Sequence, residues 1–176
     1  MYDLLADVKL SIELEERGRD FYLKTAAKTN NPLAASTLTS LADREKDHII
    51  KIAEFHKSLT VGKALEPGWL MIAEVPPSKQ ELLRPILKKL KANLNKKFET
   101  SADINEAYKV AEGLETDSFN LYDKIARETD NETAKKFYSA LAAEERDHYA
   151  ILDETLQYLN NPGDWFRKEE RWIVEG

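Results

Sequence analysis

Three side chains with metal-ligand chemistry occur twice in this chain. Glu45 and His48 stand three residues apart, and so do Glu145 and His148. A further glutamate, Glu15 or Glu115, precedes each pair by thirty positions. On a helix, residues at i and i+3 share one face. A carboxylate and an imidazole so placed can both reach one metal ion, or two adjacent ones. A single Glu-x-x-His carries little weight, because most such pairs are surface ion-pair residues. Two at matched positions, each with a partner glutamate on the preceding helix, carry much more.

The matching is part of a larger repeat. Residues 1–60 align with 101–160 without gaps, and 17 of the 60 positions are identical, several times what chance gives, which marks an internal duplication. Leu41-Ala42 with Glu45, Asp47 and His48 returns as Leu141-Ala142 with Glu145, Asp147 and His148. Glu15 with Tyr22 returns as Glu115 with Tyr122. Two copies of a helix pair tend to pack about a pseudo-twofold axis, so what one copy aims at the axis the other aims there too.

Four long stretches with helical periodicity must position these residues. They span about Tyr2–Thr29, Pro32–Leu59, Ala102–Thr129 and Asn131–Leu159. Asn30-Asn31-Pro32 and Asp130-Asn131 punctuate the pairs, with Pro32 suited to a first helical turn. The inward stripes are expected to read Leu5, Val8, Ile12, Glu15, Arg19, Tyr22, Ala26 and Leu38, Leu41, Glu45, His48, Ile52, Phe55, Leu59 in the first half. In the second half they read Ile104, Tyr108, Ala111, Glu115, Ser118, Tyr122, Ile125 and Tyr138, Leu141, Glu145, His148, Leu152, Thr155, Leu159. Short turns make each pair antiparallel, and about 40 residues join the pairs. The expected fold is all-α, a ferritin-like four-helix bundle with one long crossover. The bundle is expected over 1–161 with the crossover at 61–100. Ser78 and Glu81 form a capping box there, ahead of a short amphipathic helix that Pro85 should bend. The tail, 162–176, carries Trp165, Phe166 and Trp172 and should pack on the bundle or on a partner.

Burying four carboxylates and two imidazoles is costly, at several kcal/mol per unpaired charge. No lysine occupies the stripes, and Arg19 can answer one glutamate only. Two divalent cations would balance the four carboxylates and leave both histidines neutral. One Glu from each of two helices and Glu-x-x-His from each of the other two is the donor set of di-iron and di-manganese carboxylate bundles. Oxygen and imidazole donors suit iron or manganese.

The chain has 176 residues, a net charge of −6 and no cysteine. One domain of that size builds its own core. The absence of cysteine excludes disulfides and any thiolate-held iron within these residues. The acidic balance speaks against nucleic acid. No signal peptide and no span of about 18 apolar residues is evident, so a cytoplasmic protein is expected.

Glu15 with Tyr22, the run Leu41-Ala42-Asp43-Arg44-Glu45-Lys46-Asp47-His48 and their copies resemble the rubrerythrin branch of the ferritin-like superfamily. The resemblance covers all four helices. It implies that Glu15 and Glu115 are terminal ligands, that Glu45 and Glu145 bridge two irons, and that His48 and His148 each cap one. It implies reduction of hydrogen peroxide, with O2 as an alternative oxidant. An external donor, such as a rubredoxin or a reductase, must then supply electrons, and a homodimer is expected. Two departures stand out. The chain lacks a cysteine-bearing rubredoxin module. The extra carboxylate that rubrerythrins carry a turn after the third-helix ligand is Ser118 here, with Gly18 as its first-half counterpart. Glu112 could substitute, although a solvated role suits it better. Iron handling with slow ferroxidase activity, and oxidation of an organic substrate at a di-iron or di-manganese site, remain alternative readings.

Tyr22 and Tyr122 are either core aromatics or hydrogen-bond donors to the ligands. Asp47 and Asp147 lie off the stripes and could form salt bridges or bond to the opposite histidine. His56 has Leu156 as its counterpart and reads as a surface residue.

Overall fold

A computed structural model describes residues 4–61 and 102–163. Four helices make up these segments: α1 (Leu4–Lys28), α2 (Pro32–Val61), α3 (Ala102–Glu128) and α4 (Glu132–Asn160). The amphipathic segment expected after Ser78 and the aromatic tail from Trp165 lie outside the described residues.

The two turns repeat as faithfully as the glutamates and histidines do. Asn31 Oδ1 accepts hydrogen bonds from the backbone N–H groups of Leu33 and Ala34, each at 3.0 Å. Asn131 Oδ1 does the same for Thr133 and Ala134, each at 3.0 Å. Thr29 and Thr129 each accept the backbone N–H of the asparagine two residues on, both at 3.2 Å. An asparagine side chain thus answers two of the orphan donors at each helix start. Helix α2 then begins at Pro32, whose ring needs no such partner.

Helix α1 packs on α2 and α3, and α4 packs on α3 and α2. Directions follow from cross-contacts. Tyr22 meets Glu115 while Tyr122 meets Glu15, so α1 and α3 run antiparallel. Glu45 lies by His148 while Glu145 lies by His48, so α2 and α4 do too. With each hairpin antiparallel, α2 and α3 are parallel. Helix α2 therefore ends at the opposite end of the bundle from the start of α3, the ferritin-like connection.

Two apolar clusters fill the ends. One holds Tyr22, Leu38, Leu41, Tyr108, Ala111 and Leu152. The other holds Val8, Ile52, Phe55, Tyr122, Phe137 and Tyr138, with Phe55 and Phe137 stacked at 4.5 Å. Burial of such side chains contributes about 1.5–3 kcal/mol each. The stripes of α3 and α4 are buried throughout. That of α2 is buried except at Leu59, which is half-buried.

Helix α1 departs from expectation. Its buried face is Val8, Ser11, Glu15, Gly18 and Tyr22. Leu5 is exposed, and Ile12, Arg19 and Ala26 are only half-buried. The helix is turned so that Ser11 and Gly18, rather than Ile12 and Arg19, join Val8, Glu15 and Tyr22 on the face toward the bundle. A Cβ on Gly18 would stand 3.8 Å from Cγ of Glu45, an ordinary van der Waals contact, so this face of α1 lies directly against the Glu45 side chain.

Candidate metal centre

Between the two apolar clusters lies a layer of buried polar groups. Glu15, Glu45, His48, Glu115, Glu145 and His148 are each at most 3 % exposed. Each is brought there by its own helix: Glu15 by α1, Glu45 and His48 by α2, Glu115 by α3, Glu145 and His148 by α4. One ligand atom from each of Glu45, His48, Glu145 and His148 falls within 4.8 Å of the other three. The imidazole rings stack face to face at 5.2 Å.

The four glutamates divide into two kinds. Glu45 turns Oε2 to His48 Nδ1 at 3.5 Å and Oε1 to His148 Nδ1 at 3.3 Å. Glu145 turns Oε1 to His48 Nδ1 at 3.0 Å and Oε2 to His148 Nδ1 at 3.3 Å. Each of these two carboxylates spans both histidines. Glu15 Oε2 lies 3.3 Å from His48 Nδ1, and Glu115 Oε2 lies 3.5 Å from His148 Nδ1. The other oxygen of each outer carboxylate takes a tyrosine hydroxyl from the opposite half: Tyr122 donates to Glu15, and Tyr22 to Glu115. Burial, with Glu115 beside Tyr22 and Glu15 beside Tyr122, pushes both phenols well above the usual range, so both remain donors.

Electrostatics shows how crowded the layer is. Burial pushes Glu15 and Glu115 well above the ordinary carboxylate range, and Glu45 adds to it. Burial raises Glu45 too, and so does Glu145, but bonds to Glu15, His148 and His48 bring it to about 2. Glu145 is likewise opposed by burial, yet the two histidines hold it below its usual value. Burial pulls both imidazoles down, and the surrounding carboxylates outweigh it and lift them well above the usual histidine range. Without a metal, protons on His48, His148, Glu15 and Glu115 are what keep the layer from repelling itself.

Protons do not satisfy every atom. Glu45 Oε1, both carboxylate oxygens of Glu145 and His148 Nδ1 are buried without a hydrogen-bond partner. Their neighbours stand within ion-pair distance but out of hydrogen-bond alignment. Such orphaned donor atoms cost about 1–3 kcal/mol each. Turned toward one another, they form a donor set that fits divalent cations and could bind a metal.

One carboxylate here was not anticipated. Glu144, 6 % exposed, sits 3.0 Å from His48 Nε2 and takes Lys51 Nζ at 2.9 and 3.2 Å. Burial opposes its charge, yet His48 and Lys51 hold it at about 2. Its residue type and its place beside Glu145 were the only signals. Its counterpart Arg44 hid it from the repeat. The aspartates considered for this part lie elsewhere: Asp47 is exposed and Asp147 half-buried. His56 is half-buried rather than on the surface. Arg19 lies in a groove with Glu13, Glu16, Arg17 and Asp20, outside the layer. Glu112 is half-buried, with Oε1 shielded and unpaired, so it is less solvated than expected. Ser118 is buried and supplies no carboxylate.

A family model described as Rubrerythrin matches residues 8–156. The chain belongs to the rubrerythrin family. That match spans all four helices and every residue of the polar layer. Rubrerythrins are a ferritin-like di-iron family, and the buried carboxylate–histidine layer of this rubrerythrin fits such a site. No curated protein and no solved structure matches the chain. Among the described residues, no helix is long and apolar enough to cross a membrane.

Proposed function

We propose that this rubrerythrin is a non-haem di-iron oxidoreductase that reduces hydrogen peroxide, with O2 as a slower oxidant. The observation that carries the reading is the pair of carboxylates, Glu45 and Glu145, each of which addresses both histidines. That geometry suits bridging ligands between two ions. Glu15 with His48, and Glu115 with His148, would supply the remaining donors. Lys51 offsets Glu144, so four carboxylates remain for two divalent ions, and both histidines become neutral ligands.

Two ferrous ions, if bound by these residues, would supply the two electrons that reduce peroxide to two waters with two protons. The chain's own residues prepare that reaction. Tyr22 and Tyr122 anchor the outer carboxylates in place. The apolar clusters above and below exclude bulk water, which strengthens every charge interaction within the layer. With no cysteine to hold another iron centre in these residues, re-reduction relies on an external donor such as a rubredoxin or a reductase.

The test is anaerobic. Reduced, iron-loaded protein is mixed with one equivalent of peroxide or of O2, and oxidation is followed by absorbance. Peroxide should react at least tenfold faster. Equal rates would favour iron handling over peroxide reduction. Glu45→Ala and Glu145→Ala should each abolish stoichiometric binding of two ions. Two tightly held ions in either variant would refute the centre itself.

A further inference from the structure

The duplication is faithful in the six layer residues and fails just outside one of them. His48 directs Nδ1 at the layer and Nε2 at Glu144, 3.0 Å away. Glu144 is fixed from its far side by Lys51, at 2.9 Å. One hundred residues before Glu144 stands Arg44, and one hundred after Lys51 stands Ile151, which is 3 % exposed. Neither the carboxylate nor the ammonium has a copy on the other side. Among the described residues, the carboxylate contacts of His148 all run through Nδ1.

A carboxylate on the far nitrogen changes a histidine ligand in three ways. It requires the proton to sit on Nε2, which leaves the Nδ1 lone pair facing the layer. It fixes the plane of the ring, and it makes the imidazole a stronger donor. Lys51 holds Glu144 turned inward, where it would otherwise be drawn to solvent. We propose that the two metal positions are inequivalent, and that Glu144, held by Lys51, is a positioning residue that makes the His48 position the tighter one. This rests on the two-metal reading above. It adds an asymmetry that the six ligands, being two copies of one set, do not themselves contain.

The experiment titrates metal-free protein with Co(II), read by calorimetry and by the cobalt d–d absorption. The unmodified protein should show two resolved steps. Glu144→Ala should weaken the tighter step about 10–100-fold and leave the weaker step within about twofold. Glu144→Gln, whose amide oxygen still accepts from Nε2–H but without charge, should fall between. Arg44→Glu gives His148 the missing carboxylate and should draw the two steps together, a gain that a merely disrupted fold does not produce. Two indistinguishable steps in the unmodified protein would overturn the inference while leaving the two-metal reading intact. So would equal weakening of both steps by Glu144→Ala, or an Arg44→Glu titration that matches the unmodified one. Fewer than two bound ions in the unmodified protein would instead refute the two-metal reading.

Discussion

Tyr22 and Tyr122 show how one hydroxyl can serve two halves. Each sits two turns beyond the glutamate of its own helix, yet donates to the glutamate of the other helix. The cross-bonding ties α1 to α3 through the polar layer itself. Both phenols are fully buried, and a hydrogen bond between neutral groups contributes about 0.5–1.5 kcal/mol. Tyr22→Phe and Tyr122→Phe should each destabilise the metal-free protein by about that amount, measured by urea unfolding at neutral pH. Unchanged midpoints would mean the hydroxyls are core decoration only. The pairing of tyrosine with ligand was legible in the sequence as a spacing of seven. Its crossing to the opposite half was not, because a hydroxyl at the end of a long ring reaches whichever neighbouring helix the packing brings closest.

At the level of elements, two turns and one helix face matter most. The asparagine caps recur because each helix start has the same unpaired N–H groups to answer. Asn31→Ala and Asn131→Ala should each lower stability by about 1 kcal/mol, with a thermal-melt shift as the readout and no change in metal stoichiometry. A loss of bound metal in either would mean the turns do more than cap. The caps could be read from sequence alone, since capping is local chemistry. The inward face of α1 could not. Ser11 and Ile12 stand about 100° apart around the helix, as do Gly18 and Arg19, and either choice keeps alternating steps of three and four between Val8 and Tyr22. In the packed bundle Ser11 and Gly18 are the members turned inward, and that rotation exists only once the helices pack.

For the molecule as a whole, the polar layer couples stability to pH and to metal. In the metal-free protein the two histidines and the outer glutamates have raised folded values. A raised folded value means stability that is present at low pH and lost as pH rises through it. Glu45, Glu144 and Glu145 have lowered values, and their stability is lost in acid instead. Metal-free protein should therefore lose stability as pH climbs above the ordinary histidine value of 6.5. If two divalent ions bind as proposed, they would replace those protons, so loaded protein should hold its stability over the same range, and metal uptake near neutral pH should release protons. Melts from pH 6 to 9, with and without metal, check this; parallel curves would refute it. The two copies, the four helices, the caps and the kinds of donor atom are legible from residue order alone. These follow from periodicity and from residue chemistry, which are properties of short stretches. That Glu45 and Glu145 each face both histidines, and that Glu144 pairs with a histidine 96 residues away, emerges only in the folded bundle. Those facts depend on how far each helix is rotated about its axis against its neighbour, and the packing of whole side-chain faces sets that rotation.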